Sequence, residues 1–250
     1  MDTIIAFAVF ASVFSAALLG MGIKNKIPQH HLESDAKDVI RLVTGITATM
    51  SALVLGMLVS SAKIYYDSWN IQVAEIASQV VTIDHLLTSY GFETGEIRTQ
   101  FRRHVEDGVT RAWHNKDPLD IALRPKEGGD TLIEQVELLT PKSALQTAVK
   151  AQLTPQITAL RMAQWRMFLR TRQNSMPVSL LLIVISWQCA IFISMGLFAP
   201  SNTTVYFAFA LGALTVSTAI FIILEMYSPF KGILTISSAP ITDALTQMAH

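Results

Sequence analysis

Asp38-Val-Ile-Arg-Leu-Val-Thr-Gly-Ile-Thr-Ala-Thr-Met-Ser-Ala-Leu-Val-Leu-Gly-Met-Leu-Val-Ser-Ser-Ala-Lys-Ile-Tyr-Tyr-Asp67 is the stretch on which the reading of this chain turns. No charge lies between Arg41 and Lys63, and about 20 apolar residues suffice for one helix to cross a bilayer. Small residues recur at every fourth position: Thr44, Ala48, Ala52, Gly56 and Ser60. Such a ridge lets a second helix come close, which matters in lipid because apolar surroundings supply no hydrophobic drive between helices. A four-residue period drifts by about 40° per step around a helix of 3.6 residues per turn, so the ridge winds and suits a right-handed crossing.

Working outward, three more uncharged apolar runs are long enough to span: Thr3–Ile23, Met176–Ala199 and Thr203–Leu224. They account for a composition of 51% hydrophobic and 15% charged residues, against about 25% charged in an average soluble domain. The first run lacks the basic start of a signal peptide. Met1-Asp2 precedes it and Lys24 and Lys26 follow it, which points to a retained membrane helix. The expected fold is therefore all-α and polytopic. Four transmembrane helices at 3–23, 39–65, 176–199 and 203–225 enclose a helical cytosolic domain at 66–175, and a cytosolic tail occupies 226–250.

Within the inserted segment, Val73, Ile76, Ala77, Val80, Val81, Asp84 and Leu87 keep helical spacing, so the second helix is expected to run on to Tyr90-Gly91, with Gly91 as a left-handed cap. A further helix carries Ile97, Phe101, Val105, Val109 and Trp113. Asn115–Asp130 reads as a loop, Thr131 with Glu134 as a capping box, and Thr140-Pro141 as the start of a long helix broken or kinked at Pro155. Leu145 and Val149 belong to the apolar face of that helix. Beyond the fourth span, Pro229 and Gly232 stop the helix, Ile233–Ser237 alternates like a strand, and Ser238-Ala-Pro240 opens a last helix. Glu225 sits at the edge of its apolar run, either solvated at the interface or buried against an arginine.

The motifs of catalysis are missing. There is no glycine-rich phosphate loop, no paired His/Cys metal spacing and no nucleophile elbow. Ser60-Ser-Ala-Lys63 has a Ser-x-x-Lys form without its companions, and the adjacent His30 and His31 have no spaced ligand partner. A formal net charge of zero gives no sign of bulk nucleic-acid binding. The expectation is a protein that is not an enzyme and carries no cofactor or metal, with the lipid bilayer as its first partner.

With four spans, both termini and the middle domain share one side. Near the membrane that side holds Lys63, Arg161, Arg166, Arg170, Arg172 and Lys231, against Lys24, Lys26, Lys37 and the boundary Arg41 on the other. Excess Lys and Arg marks the cytoplasmic face.

Several separate blocks then resemble a bacterial family of bestrophin-like membrane proteins. They are Leu53-Val-Leu-Gly-Met-Leu-Val-Ser-Ser-Ala-Lys63, Asp84-His-Leu-Leu87, Tyr90-Gly-Phe-Glu-Thr94 with Arg98, Arg166-Met-Phe168, Gly196-Leu-Phe-Ala-Pro-Ser-Asn202, Pro229-Phe-Lys-Gly232 and Ile236-Ser-Ser-Ala-Pro240. The likeness runs from Leu53 to the C-terminus. It departs from the family pattern at Phe92, where proline is expected, at His85, where arginine is expected, and at Glu225-Met-Tyr, where an aspartate is usual.

Bestrophins are pentameric, chloride-permeable channels with four membrane helices per chain, so the resemblance implies a multi-pass protein of the bacterial inner membrane that forms a homo-oligomer. Two functions stand open. In an anion-permeable channel, Met50, Leu53 and Met57 would form the constriction and Ala48, Ala52, Gly56 and Ser60 would pack between helices, with Lys63 ringing the cytosolic mouth. In a non-conducting scaffold or sensor, the cytosolic helices would bind a protein partner. The aromatic neck of true bestrophins has no counterpart on the second helix. The aromatics Phe7, Phe10 and Phe14 lie on the first, as a packing face, a lipid face or an apolar constriction. Glu225, Pro229 and Gly232 are the candidate junction residues.

Overall fold

The structure, a computed structural model, describes residues 2–24, 34–114, 129–173 and 176–248. Among these every regular element is a helix. α1 is Asp2–Lys24, α2 Ser34–Tyr90, α3 Gly95–His114, α4 Gly129–Glu137, α5 Ala144–Gln173, α6 Val178–Phe198, α7 Thr203–Met226 and α8 Ala239–Gln247, with a 3₁₀ turn at Phe92–Thr94. Four helices (α1, α2, α6 and α7) are long and apolar enough to cross a membrane. The chain divides into two compact units: Met1–Tyr65 with Met176–Ser228, and Tyr66–Ser175 with Pro229–His250.

In the first unit, α1 packs on α6 and α7. Its buried stripe is Ala6, Val9, Val13, Ala16, Ala17, Gly20 and Met21, small residues toward its C-terminal half. A Cβ on Gly20 would sit 2.2 Å from the Ile193 carbonyl oxygen, and one on Gly196 would sit 2.2 Å from that of Ala17. The two backbones touch, which is the contact that apolar helices gain from small residues. Val9, Val13, Leu181, Ile191, Phe192, Phe209 and Ile220 fill the remainder of this core. Ser217 donates to the Ala6 carbonyl at 2.6 Å, and Lys24 caps the end of α6 through the Ala199 carbonyl at 3.0 Å. The aromatic face of α1 lies to one side. Phe7 is exposed, while Phe10 and Phe14 stack at 5.9 Å on the core's margin. The apolar half of α2 meets this packet only along one edge, where Leu58 and Ala62 join Val184 and Ile223.

In the second unit α2 continues as an ordinary amphipathic helix, burying Trp69, Val73, Ile76, Ala77, Val80, Ile83 and Leu87. It stops at Gly91, whose φ of 126° and ψ of −171° lie outside the left-handed helical region expected for a cap. This extended, positive-φ corner is essentially restricted to glycine, and it turns the chain directly into the 3₁₀ turn. Thr94 secures the corner through the Leu87 and Gly91 carbonyls.

Glu93 accepts from Lys142 and Gln146, each at 2.9 Å, and Gln146 also donates to the Tyr90 carbonyl. The Lys142 ammonium holds the Glu93 carboxyl below its ordinary range, and that carboxylate raises the lysine in turn. Arg98 grips Asp84 from Nε and Nη2 at 2.5 and 3.0 Å and donates from Nη2 to the Met248 carbonyl at the end of α8. A cation there complements the negative end of the helix dipole.

Several local expectations give way. Ile233–Ser237 is a bent segment and not a strand, because the Ile236 amide turns back to the Pro229 carbonyl. Thr140-Pro141 precedes its helix. α5 starts at Ala144, where the Ser143 hydroxyl accepts the Gln146 amide at 3.1 Å. Thr131 lies inside α4, not at its cap. Pro155 leaves α5 unbroken, and Leu145 is exposed. Lys26, His30, His31 and the loop at 115–128 fall outside the described residues.

Two outcomes are expected from this packing. Gly196→Val should destabilise the first unit by about 1–3 kcal/mol or more, as overpacking does, while Gly56→Val, whose Cβ meets nothing within 4 Å, should leave single-chain stability unchanged. Thermal unfolding in detergent reads both. Burial pushes the His104 imidazole below its ordinary 6.5, with Arg111 adding to the effect and Asp107 opposing it. The unfolded chain then binds this proton more readily than the folded one, so stability present above pH 6.5 is lost as pH falls through the folded value. His104→Gln should flatten that part of the unfolding profile.

Candidate functional site

The outward surface of α2 is built by its period. At about 100° per residue, Ser51, Leu58 and Ala62 share one line, and all three are buried. Among the described residues, the flanks away from that line are largely exposed in the apolar half of α2. One flank carries Ala48, Ala52, Gly56 and Ser60, all exposed, with Thr44 half-buried at its start. The other carries Met50, Leu53 and Met57, exposed at 51%, 71% and 55%, with Ile46 beside them. The fourfold ridge is therefore not where this chain's own helices come closest. That role belongs to Gly20 and Gly196. Only 11% of the most apolar window of α2 is buried, against 39% for α1.

Gln188 donates to the fully buried Ser51 hydroxyl at 2.9 Å, joining α6 to α2. Interhelical hydrogen bonds of this kind in lipid contribute about 0.6–2 kcal/mol. The pair was missed in the sequence because Ser51 and Gln188 each look like isolated polar interruptions. Lys63 is exposed one turn beyond Ser60. It ends the uncharged run but not the helix, which continues to Tyr90.

At the far end of α7, Glu225 is buried, at 3% exposure, so it is not solvated at an interface. Tyr227 follows and stacks on Tyr65 at 5.0 Å, its hydroxyl 3.4 Å from that of Ser61. In the second unit the Pro229 carbonyl receives the Ile236 amide, and Gly232 takes a φ of 100°, which a side chain would resist. Phe230 lies edge-on between Trp69 at 5.3 Å and Trp113 at 5.7 Å. Trp113 also donates to the Ile236 carbonyl at 2.9 Å. Among the described residues no group of three or more His, Cys, Asp or Glu side chains could hold a metal ion.

A family model described as the bestrophin-like domain matches residues 11–241. The chain belongs to the bestrophin-like family. The match reaches well before Leu53, so the family pattern takes in most of α1 as well. No match was found among curated proteins, nor among solved structures.

The bestrophin-like blocks have visible physical roles. Asp84 and Arg98 form the ion pair that receives the end of α8, Gly91 makes the corner after α2, Gly196 makes the close crossing, and Phe230 and Ile236 are gathered around Trp113.

Replacing one partner of the Ser51–Gln188 pair should strand the other. Ser51→Ala alone is expected to cost about 1–3 kcal/mol, and adding Gln188→Leu should recover most of it. A double-mutant cycle on unfolding in detergent measures the coupling.

Proposed function

We propose that several copies of this chain surround a common axis lined by α2 and form an anion-permeable channel in a bacterial inner membrane. The carrying observation is the uncovered state of the apolar half of α2, which exposes a small flank and a large apolar flank at once. In a ring, Ala48, Ala52, Gly56 and Ser60 pack against the next copy, where Gly56 leaves room for a neighbouring backbone. Met50, Leu53 and Met57 then turn inward, and a ring of such side chains gates by excluding water. Lys63 repeats beyond the constriction and raises the local anion concentration at the mouth. Chloride or another small anion fits this field. Both termini and residues 66–175 face the cytoplasm on this reading, which follows the excess of basic residues there. The protein works without a catalytic step and without a cofactor. Family membership supports the reading by analogy with the bestrophin anion channels, and a fold alone does not supply an activity.

One observation favours a second reading. From Asp38 to Ile64 α2 carries no aromatic residue, so the aromatic neck of true bestrophins has no equivalent on it. A non-conducting scaffold or sensor, binding a protein partner through the cytosolic helices, needs no such neck.

Native mass spectrometry of the protein in nanodiscs separates the two. A closed ring of about five chains is expected for the channel, whereas a monomer or dimer removes the axial path. In vesicle flux measurements Lys63→Glu should then reverse the preference for anions over cations. Unchanged selectivity would remove Lys63 from the role of selector.

A further inference from the structure

We propose that the last turns of α5 lie on the cytoplasmic lipid surface and bind anionic headgroups. This rests on reading the four apolar helices as membrane spans, but not on conduction or on the number of copies. The exposed side of α5 changes character along its length. Its first half shows Ala148, Ala151, Gln152 and Pro155 to solvent. Its second half shows Met162, Trp165 and Leu169, exposed at 61%, 46% and 39%. Spacings of three and four residues place these three on one face. The buried residues Leu160, Ala163 and Met167 occupy the opposite side, so the stripe is surplus to the core of the second unit.

Charge identifies the cover. The chain has no Asp or Glu between Glu137 and Glu225, so α5 has no carboxylate of its own. Arg161, Arg166, Arg170 and Arg172 crowd into its final turns. Arg166 meets Glu75 of α2 at 3.1 Å, a carboxylate supplied by another helix. That contact draws α5 toward the side of α2 that also exposes Ile71, one turn before Glu75.

Leu169 precedes Val178, the first residue of α6, by nine residues. A short chain therefore ties the stripe to the start of a span. An exposed tryptophan beside aliphatic side chains and arginines, next to a span, has the composition of the headgroup layer. Basic clusters at that position bind anionic lipid. Packed symmetrically on the same face of a second copy, these arginines would meet like charge, so lipid is favoured over that contact.

Site-directed spin labelling of the full chain tests this. In a Cys189→Ala background, Met162→Cys, Trp165→Cys and Ala151→Cys would each be labelled and reconstituted into phosphatidylcholine vesicles with and without phosphatidylglycerol. Labels at 162 and 165 should be several-fold more accessible to oxygen than to a neutral, water-soluble nickel chelate, and that bias should increase with phosphatidylglycerol. The label at 151 should favour the nickel chelate. Two independent positions keep the result readable if one variant misfolds. Nickel access at 162 and 165 equal to that at 151 would overturn the proposal. Low access to both reagents with spin–spin broadening would also overturn it and would name a second copy as the cover. A bias indifferent to phosphatidylglycerol would overturn the anionic part.

Discussion

The close crossing of α1 and α6 at Gly20 and Gly196 is the constraint from which the rest of the apolar unit follows. Each glycine lies against a carbonyl of the opposing helix, so neither position has room for a side chain. That approach draws α1 and α6 together and sets α7 beside them, with Phe192 and Phe209 filling the wider gap. Three helices satisfied by one another leave the fourth at the margin. α2 is fastened by a narrow line of Ser51, Leu58 and Ala62, and the other faces of its apolar half are exposed. The exposure of Met50, Leu53 and Met57 is thus a consequence of packing elsewhere in the bundle.

The second unit is held differently, by directional contacts around an ordinary hydrophobic core. Arg98 satisfies Asp84 and the end of α8 at once. Phe230 presents its ring to two tryptophans, and one of them ties down the Ile236 carbonyl. These interactions gather residues that are more than 100 positions apart in sequence, which is how a tail with one short helix becomes part of a core.

Long-period features were legible in the sequence. Four uncharged runs announced the apolar helices, and the spacing of Val73, Ile76, Val80 and Leu87 announced that α2 continues past its charged boundary. Turn chemistry was less legible. Thr140-Pro141 carries a helix-start pattern as strong as that of Ser143, but the Gln146 amide selects the serine. Ile233–Ser237 alternates as a strand does, yet no second strand pairs with it among the described residues, and its amide at Ile236 is used in a turn. The fourfold ridge on α2 was conspicuous, whereas Gly20 and Gly196 were not, because a single glycine shows its purpose only when its partner is known. At the candidate site, the sequence supplied the residues on each flank of α2, and the structure showed both flanks exposed and the line of Ser51, Leu58 and Ala62 buried.

The close crossing of α1 and α6 also bears on how the chain is made. Synthesis proceeds at about 5–20 residues per second, so Gly196 emerges about 10–35 s after Gly20. For that interval the stripe of Ala16, Ala17 and Gly20 has no α6 to receive it. The contact surface of the first helix stays open until then, and α2 is built meanwhile. Biogenesis of the apolar unit therefore ends with the arrival of α6 and α7, and a chain halted before them has a first helix without its place.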